Sequence, residues 1–269
     1  MNSKVSNPSL TNLPVCCKGS LQKIVLAIVF LFSVTLFSKA QHTHSKLFAE
    51  VFTGPSFPAG KFGNKKFSDN PTENNPSGLA KPGISVNASI GYHFNASFGT
   101  ILLAGGSFNK QDPDSYEDYL NQTNGNNSRA VVNTNSWKTL KIMGGGFFST
   151  PFSISSKLVF QSTITAGLCK TTIPEYSWVI YDQNGMLQSG FKQFKTPLPW
   201  AFCYQAGIEL QYWLNKKVHV LFDMNYFNSN PGMNYSYNPN FPLPGPVISA
   251  KKKYNLASFN IMPGIGIKL

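Results

Sequence analysis

The stretch "VHVLFDMNYF", Val218 to Phe227, decides how the chain is read. Its even positions are Val218, Val220, Phe222, Met224 and Tyr226. Its odd positions hold His219, Asp223 and Asn225, together with Leu221 and Phe227. Successive side chains of a strand point to opposite faces. The segment therefore reads as a strand with one purely apolar face and one mostly polar face.

The same period of two recurs along the chain. In "ISVNASIGYHFN", Ile84, Val86, Ala88, Ile90, Tyr92 and Phe94 alternate with Ser85, Asn87, Ser89, Gly91, His93 and Asn95. "LVFQSTITAGLC" sets Leu158, Phe160, Ile164, Ala166 and Leu168 against Gln161, Thr163, Thr165 and Cys169. "WAFCYQAGIELQYWL" sets Trp200, Phe202, Tyr204, Ile208, Leu210 and Tyr212 against Cys203, Gln205, Glu209 and Gln211. "LASFNIMPGIGIKL" ends the chain in the same way, and Pro263, which lacks an N–H to donate, predicts a bulge there. Three further segments complete a set of eight strands. "KLFAEVFT" puts Glu50 on the face of Phe48 and Phe52, and "TLKIMGGGFF" puts Lys141 opposite Leu140 and Ile142. "SFGTILLAGGSFN" is apolar on both faces, so its orientation stays open.

Connections alternate in length. Asn95–Ser97, Thr150–Ser156 and Asn215–Lys217 are short; Pro58–Gly83, Lys110–Lys138, Lys170–Pro199 and Asn228–Lys253 are long. Loops of that length are uncommon in compact soluble domains. Strands of about ten residues with one apolar face, joined alternately by short turns and long loops, form the pattern of outer-membrane barrels. Only 13% of residues are charged, against about 25% in soluble domains. The polar faces carry Gly, Ser, Asn and Gln rather than Lys and Glu. Aromatic residues gather near strand ends (Tyr92, Phe94, Phe98, Phe147, Phe148, Trp200, Phe202, Tyr212, Tyr226 and Tyr254), as interfacial girdles do. The competing reading, a secreted β-sandwich or lipocalin-like barrel, would turn the apolar faces inward.

The first 40 residues differ in kind. Lys4, Lys18 and Lys23 precede the apolar run Ile24–Phe37, and Ser38 and Ala40 are spaced as at a signal-peptidase site. The run is 14 residues, short for a spanning helix of about 20. A cleavable signal peptide, 1–40, is expected before a barrel domain, 41–269; a retained anchor is the alternative. Cys16 and Cys17 precede the apolar run and so cannot be lipidation sites. Removing 40 of 269 residues leaves 229, with 19 basic and 11 acidic side chains, a net charge of +8.

With its "SKAQ" site, its alternating connections and a last strand ending in "PGIGIKL", the chain resembles the small OmpA/OmpX-like and PorT-like outer-membrane β-barrels. The resemblance spans nearly all of the mature chain and implies an all-β, eight-stranded antiparallel up-and-down barrel. It departs at Leu269, where such proteins usually end in an aromatic residue. An even strand number puts both termini on one side, expected to be the periplasm.

No catalytic signature is present: there is no His-Glu-x-x-His, P-loop or Cys-x-x-Cys. The chain is expected not to be an enzyme and to need no cofactor. His42 and His44 could bind a metal, but a terminal stub is the plainer reading, and no metal site is expected. His93 and His219 would lie beside short turns, away from the long-loop rim where lipid-modifying barrels place Ser/His sets. Polar candidates for the lumen are Glu50, His93, Lys141, Glu209, His219 and Asp223. The turn at Asn215–Lys217 is centred on residue 216, which pairs Glu209 with Asp223 and Trp213 with His219. Two facing carboxylates need a cation, a shared proton or a lysine such as Lys141 or Lys268; the lysine network is the preferred reading. Cys169 and Cys203 lie at the long-loop ends of neighbouring strands and are either disulfide-bonded or two buried thiols.

Loop lysines (Lys61, Lys65, Lys66, Lys81, Lys192, Lys195, Lys251, Lys252 and Lys253) would attract anionic lipid head groups or another envelope protein, or simply be solvated. The second loop is acidic, with Asp112, Asp114, Glu117 and Asp118. The third, "YSWVIYDQNGMLQSGFKQF", holds an Asn-Gly turn that predicts a hairpin beyond the membrane. An eight-stranded barrel is filled by its own side chains, so open diffusion is not expected. Two functions remain: a barrel whose loops bind a surface or secretion-machinery partner, or a small transporter or lumen-binding barrel. No nucleic-acid partner is expected.

Overall fold

A computed structural model describes residues 46–66, 76–124, 128–153, 157–237 and 248–269. The leader, its cleavage site, His42 and His44 lie outside them. In chain order the elements are β1 (Leu47–Ala59), β2 (Ala80–His93), β3 (Phe98–Gln111), α1 (Asp114–Asn124), β4 (Arg129–Thr134), β5 (Ser136–Pro151), β6 (Leu158–Ile173), β7 (Tyr176–Tyr181), β8 (Leu187–Gln193), β9 (Thr196–Pro197), β10 (Ala201–Trp213), β11 (Val218–Ser229), β12 (Gly232–Tyr237), β13 (Ile248–Lys253) and β14 (Leu256–Lys268).

Eight of these strands close a circle, β1-β2-β3-β5-β6-β10-β11-β14 and back to β1. Every pairing is antiparallel. Closure leaves no strand edge in the wall, so lipid meets no unpaired row of backbone groups. Both ends of the circle's chain sit together, with Leu269 N–H donating to Leu47 C=O at 2.9 Å. Two of the short turns are locked in the same way. Asn95 Oδ1 accepts from the Ser97 and Phe98 amides, and Asn215 Oδ1 from the Lys217 and Val218 amides, all at 2.8–2.9 Å. Such side-chain turns are what favours Asn there.

The two faces point as the period of two requires. On β2, Ile84, Val86 and Ile90 are 57%, 44% and 53% exposed, while Ser85, Asn87 and Ser89 are at 0–2%. On β11, Val220, Phe222 and Met224 face out and His219, Asp223 and Asn225 face in. The segment left open by sequence is settled: Leu102 points out and Ile101 and Leu103 point in. A soluble barrel would show the reverse. This apolar belt around a polar lumen is the surface of an integral membrane barrel. Tyr92, Phe94, Trp200, Phe202 and Tyr212 face outward as a girdle would. Phe147 does not: it turns inward, edge-on to Phe48 at 5.5 Å. Tyr254 packs instead against Trp137 beneath the loops.

The bulge expected at Pro263 is absent. Between β1 and β14, paired residues keep one register on both sides of a gap, Phe52↔Gly264 and Ser56↔Asn260. Within that gap Thr53, Gly54 and Pro55 face Pro263, Met262 and Ile261. Two prolines on facing strands supply no donor, so the ladder skips them without inserting a residue.

The long connections are folded. The acidic segment, read as loop from sequence, contains the 11-residue helix α1. Asp112 caps it: its carboxylate accepts from the Asp114 amide at 3.2 Å and the Ser115 hydroxyl at 3.0 Å, with Pro113 directly before the first helical residue. Burial pushes the Asp112 carboxyl up, but hydrogen bonds from Lys81 and Ser115 outweigh it, so its pKa lies below the usual value. Lys81 also reaches Asp114 at 3.0 Å. Tyr116 and Leu120 drop onto a three-stranded sheet, β4-β7-β8, in a core with Leu79, Ala130, Val132 and Ile180. Glu117 and Asn121 accept from the Val132 and Ala130 amides, covering the open edge of β4. The predicted hairpin is β7–β8, with Gly185 at φ +76° in its turn. β12 and β13 form a second hairpin.

Ile164 is 72% exposed near the middle of β6. Ile164→Arg is expected to lower the free energy of folding into lipid vesicles by about 2–4 kcal/mol. Denaturant titration in vesicles measures it; a change within about 0.5 kcal/mol, the usual surface effect, would place that face in water.

Candidate functional site in the barrel lumen

The lumen is layered. Next to the short turns, Phe48, Ile101 and Phe147 pack together, with His93 between the two phenylalanine rings at 5.3 and 4.8 Å. Farther in lies a larger apolar layer that includes Phe52, Leu103, Met143, Leu221 and Met262. Side chains from five strands, β1, β2, β6, β10 and β11, converge on a polar cluster whose carboxylates and imidazole are buried.

Gly266 makes this cluster possible. It is the β14 partner of both Glu50 on β1 and His219 on β11. Lacking a side chain, it lets those two side chains meet over its backbone; a Cβ there would overlap the His219 ring. His219 Nε2 lies 3.1 Å from Glu50 Oε1, and both residues are 1% exposed. Ser89 donates to Glu50 Oε2 at 2.8 Å. On β10, Gln211 Nε2 donates to Glu209 Oε1 at 2.6 Å and lies 3.3 Å from Glu50 Oε1 and 3.5 Å from Gln161 Oε1. The Trp213 ring covers His219 at 4.3 Å. The donor atoms of Glu50, Glu209 and His219 all lie within 4.8 Å of one another.

The register expected from the turn holds: Glu209 pairs with Asp223 and Trp213 with His219. Asp223 accepts a short hydrogen bond from Asn225. Of the lysines, Lys141 lies within electrostatic reach of Asp223 without a direct ion pair to it. Lys141 donates to Gln205 Oε1 at 2.6 Å and lies over the Phe227 ring. Lys268 lies over Trp213 at 4.1 Å. The cluster therefore draws in Glu50, Glu209 and His219; Asp223 is adjacent, while His93 and Lys141 belong to other layers.

Cys169 and Cys203 are both free and buried. Their strands are neighbours, but Cys169 pairs with Ala201 and Cys203 with Gly167. The two-residue offset makes them diagonal neighbours whose thiols are in hydrogen-bond contact. Cys169 also donates to Ser229 Oγ at 3.1 Å.

Ser89, Glu50 and His219 are hydrolase residue types in the wrong order. The carboxylate stands between hydroxyl and imidazole, so the histidine cannot take the serine proton. Sequence reading missed Ser89, Gln161, Gln211 and Gly266 as members of the cluster. Gln211 lies two residues from Glu209 on the same face, a signal available in the sequence. The meeting of Glu50 and His219 was not available, because an up-and-down barrel places β14 between β1 and β11 but leaves the registers of those two ladders open.

No family model matches the chain, and no curated protein matches it. Among solved structures it is similar to Neisserial surface protein A, at 11% identity and a TM-score of 0.44, over 84% of this chain and 98% of that one. It is similar to the outer membrane protein OprG from Pseudomonas aeruginosa, at 14% and 0.41, over 84% and 97%. It is also similar to Ail, the attachment invasion locus protein of Yersinia pestis, at 11% and 0.35, over 82% and 98%. These are likenesses of architecture. The closed eight-stranded circle with its apolar exterior is that of a small membrane-spanning β-barrel.

Gly266→Ala is expected to destabilise the barrel by about 1–3 kcal/mol through overpacking. Gly144→Ala, where the nearest atom to a new Cβ is 3.9 Å away, is expected to be near neutral. Paired denaturant midpoints in the same vesicles decide it; equal stability of the two variants would contradict the packing over Gly266.

Proposed function

We propose that this chain is a non-enzymatic outer-membrane β-barrel that presents a folded loop platform to a surface or secretion-machinery partner. In this reading residues 1–40 are removed after Ala40, and the domain 41–269 sits with both termini in the periplasm. The observation that carries it is the small core of Leu79, Tyr116, Leu120, Ala130, Val132 and Ile180 beyond the barrel rim. Segments that only linked strands would have no need of a helix, a three-stranded sheet and a core of their own. Loops that are long and ordered are usually functional.

Charge points to the partner's chemistry. The fourth connection, Asn228–Lys253, carries Lys251, Lys252 and Lys253 and no acidic residue. Three successive lysines with no acidic residue in the same connection make it the place for an anionic group, on a lipid head or on another envelope protein. A small transporter needs a path, and the two apolar layers of the lumen stand across it.

Two measurements separate the readings. The purified barrel in planar bilayers is expected to give no conductance steps. A variant with 112–134 and 175–195 replaced by short Gly-Ser linkers and Lys251, Lys252 and Lys253 changed to Ser is expected to fold but to lose the crosslinked partner that the full chain captures on intact cells. Discrete openings, or a partner retained without those segments, would favour the transporter.

A further inference from the structure

We infer that Glu50, Glu209 and His219 form a binding site for one divalent transition-metal ion of the zinc or cobalt type, inside the barrel wall. The inference does not depend on the loop platform.

The donor set comes first. Two carboxylate oxygens and one imidazole nitrogen converge from β1, β10 and β11, within 4.8 Å of one another. Bond lengths of about 2.0–2.2 Å in a tetrahedral zinc site place ligand atoms about 3.4 Å apart. Imidazole with carboxylates suits zinc, cobalt or manganese, whereas calcium takes six to eight oxygens.

A second observation concerns the middle of the cluster. The Gln211 amide nitrogen stands among Glu209 Oε1, Glu50 Oε1 and Gln161 Oε1. It has two hydrogens for three oxygens. Gln161 is 1% exposed and directs its amide into the same space: its Oε1 faces Gln211, and its Nε2 has no partner. Oxygens gathered around one point, with too few protons to serve them, describe a cation position. Withdrawal of the Gln211 amide would free it, and Gln161 Nε2–H could then donate to an oxygen ligand of the ion.

Charge is the third. The eight wall strands hold three acidic side chains, Glu50, Glu209 and Asp223, all buried. Lys141 is the one buried lysine among the described residues, and it bonds to Gln205. Counted as ionised, the three carboxylates exceed Lys141 by two negative charges, which one divalent ion cancels. Unpaired charge inside a bilayer is costly. Ser89 fixes Glu50 through its second oxygen, and the Trp213 ring covers the imidazole. Such an ion would tie β1 to β10 and β11 across the β1–β14 closure and so couple metal uptake to folding.

The test uses the full barrel folded into vesicles with zinc or cobalt(II) and then dialysed against buffer. Wild type is expected to retain about one ion per chain, with a raised denaturant midpoint relative to protein folded with chelator. Cobalt-loaded protein is expected to show visible absorption of tetrahedral strength and one paramagnetically shifted histidine N–H. Glu209→Gln and His219→Gln, folded as judged by heat-dependent mobility, should lose the ion, while His93→Gln keeps it. Wild type that folds without retaining an ion, or Glu209→Gln and His219→Gln that retain it as wild type does, would overturn the site. If these variants fail to fold, the wild-type cobalt spectrum decides alone: a shifted histidine signal supports the site, and its absence removes it.

Discussion

A bilayer offers no water to the peptide group, so a sheet that crosses it must bond to itself all the way round. Everything else in this chain follows from that closure. The β1–β14 ladder joins the two ends of the domain. Once closed, the sheet has an outside that lipid requires to be apolar and an inside that must hold whatever polar side chains remain. Eight strands leave a lumen only as wide as those side chains. The interior is therefore a packed polar core, with His219, Glu50 and Gln161 among its most buried residues.

Packing at that density makes glycine a structural side chain in its own right. Gly266 is bracketed by Glu50 and His219, and Gly91 and Gly99 yield their space to the rings of Phe48 and Phe147. A strand glycine weakens a ladder, but here each one admits a large neighbour into a narrow lumen. The prolines act at the wall. Thr53–Pro55 and Ile261–Pro263 give up ladder bonds where they face each other, and the register passes through unchanged.

How much of this was legible depended on how local each signal was. The alternation in Val218–Phe227 and Ile84–Asn95 fixed the faces, because period two is a property of neighbouring residues. The pairing of Glu209 with Asp223 was legible because only a three-residue turn intervenes. Contacts that need the circle to close were not: Glu50 and His219 are 169 positions apart. Phe147 was misread as a girdle residue because aromatic position along a strand does not reveal which face it takes. Helix α1 was missed because Tyr116 and Leu120 give only one apolar pair at helical spacing, although the cap Asp112-Pro113 was in plain view. The two-residue offset between Cys169 and Cys203 was not legible, because neighbouring strands alone do not specify it.

The central claim is a closed barrel with lipid outside and side chains filling the inside. Cell fractionation followed by electrophoresis with and without boiling tests it most directly. The chain is predicted to appear in the outer-membrane fraction and, unboiled, to migrate faster than its unfolded mass, shifting to full mass on heating. Recovery as a soluble periplasmic protein with one mobility under both conditions would contradict it.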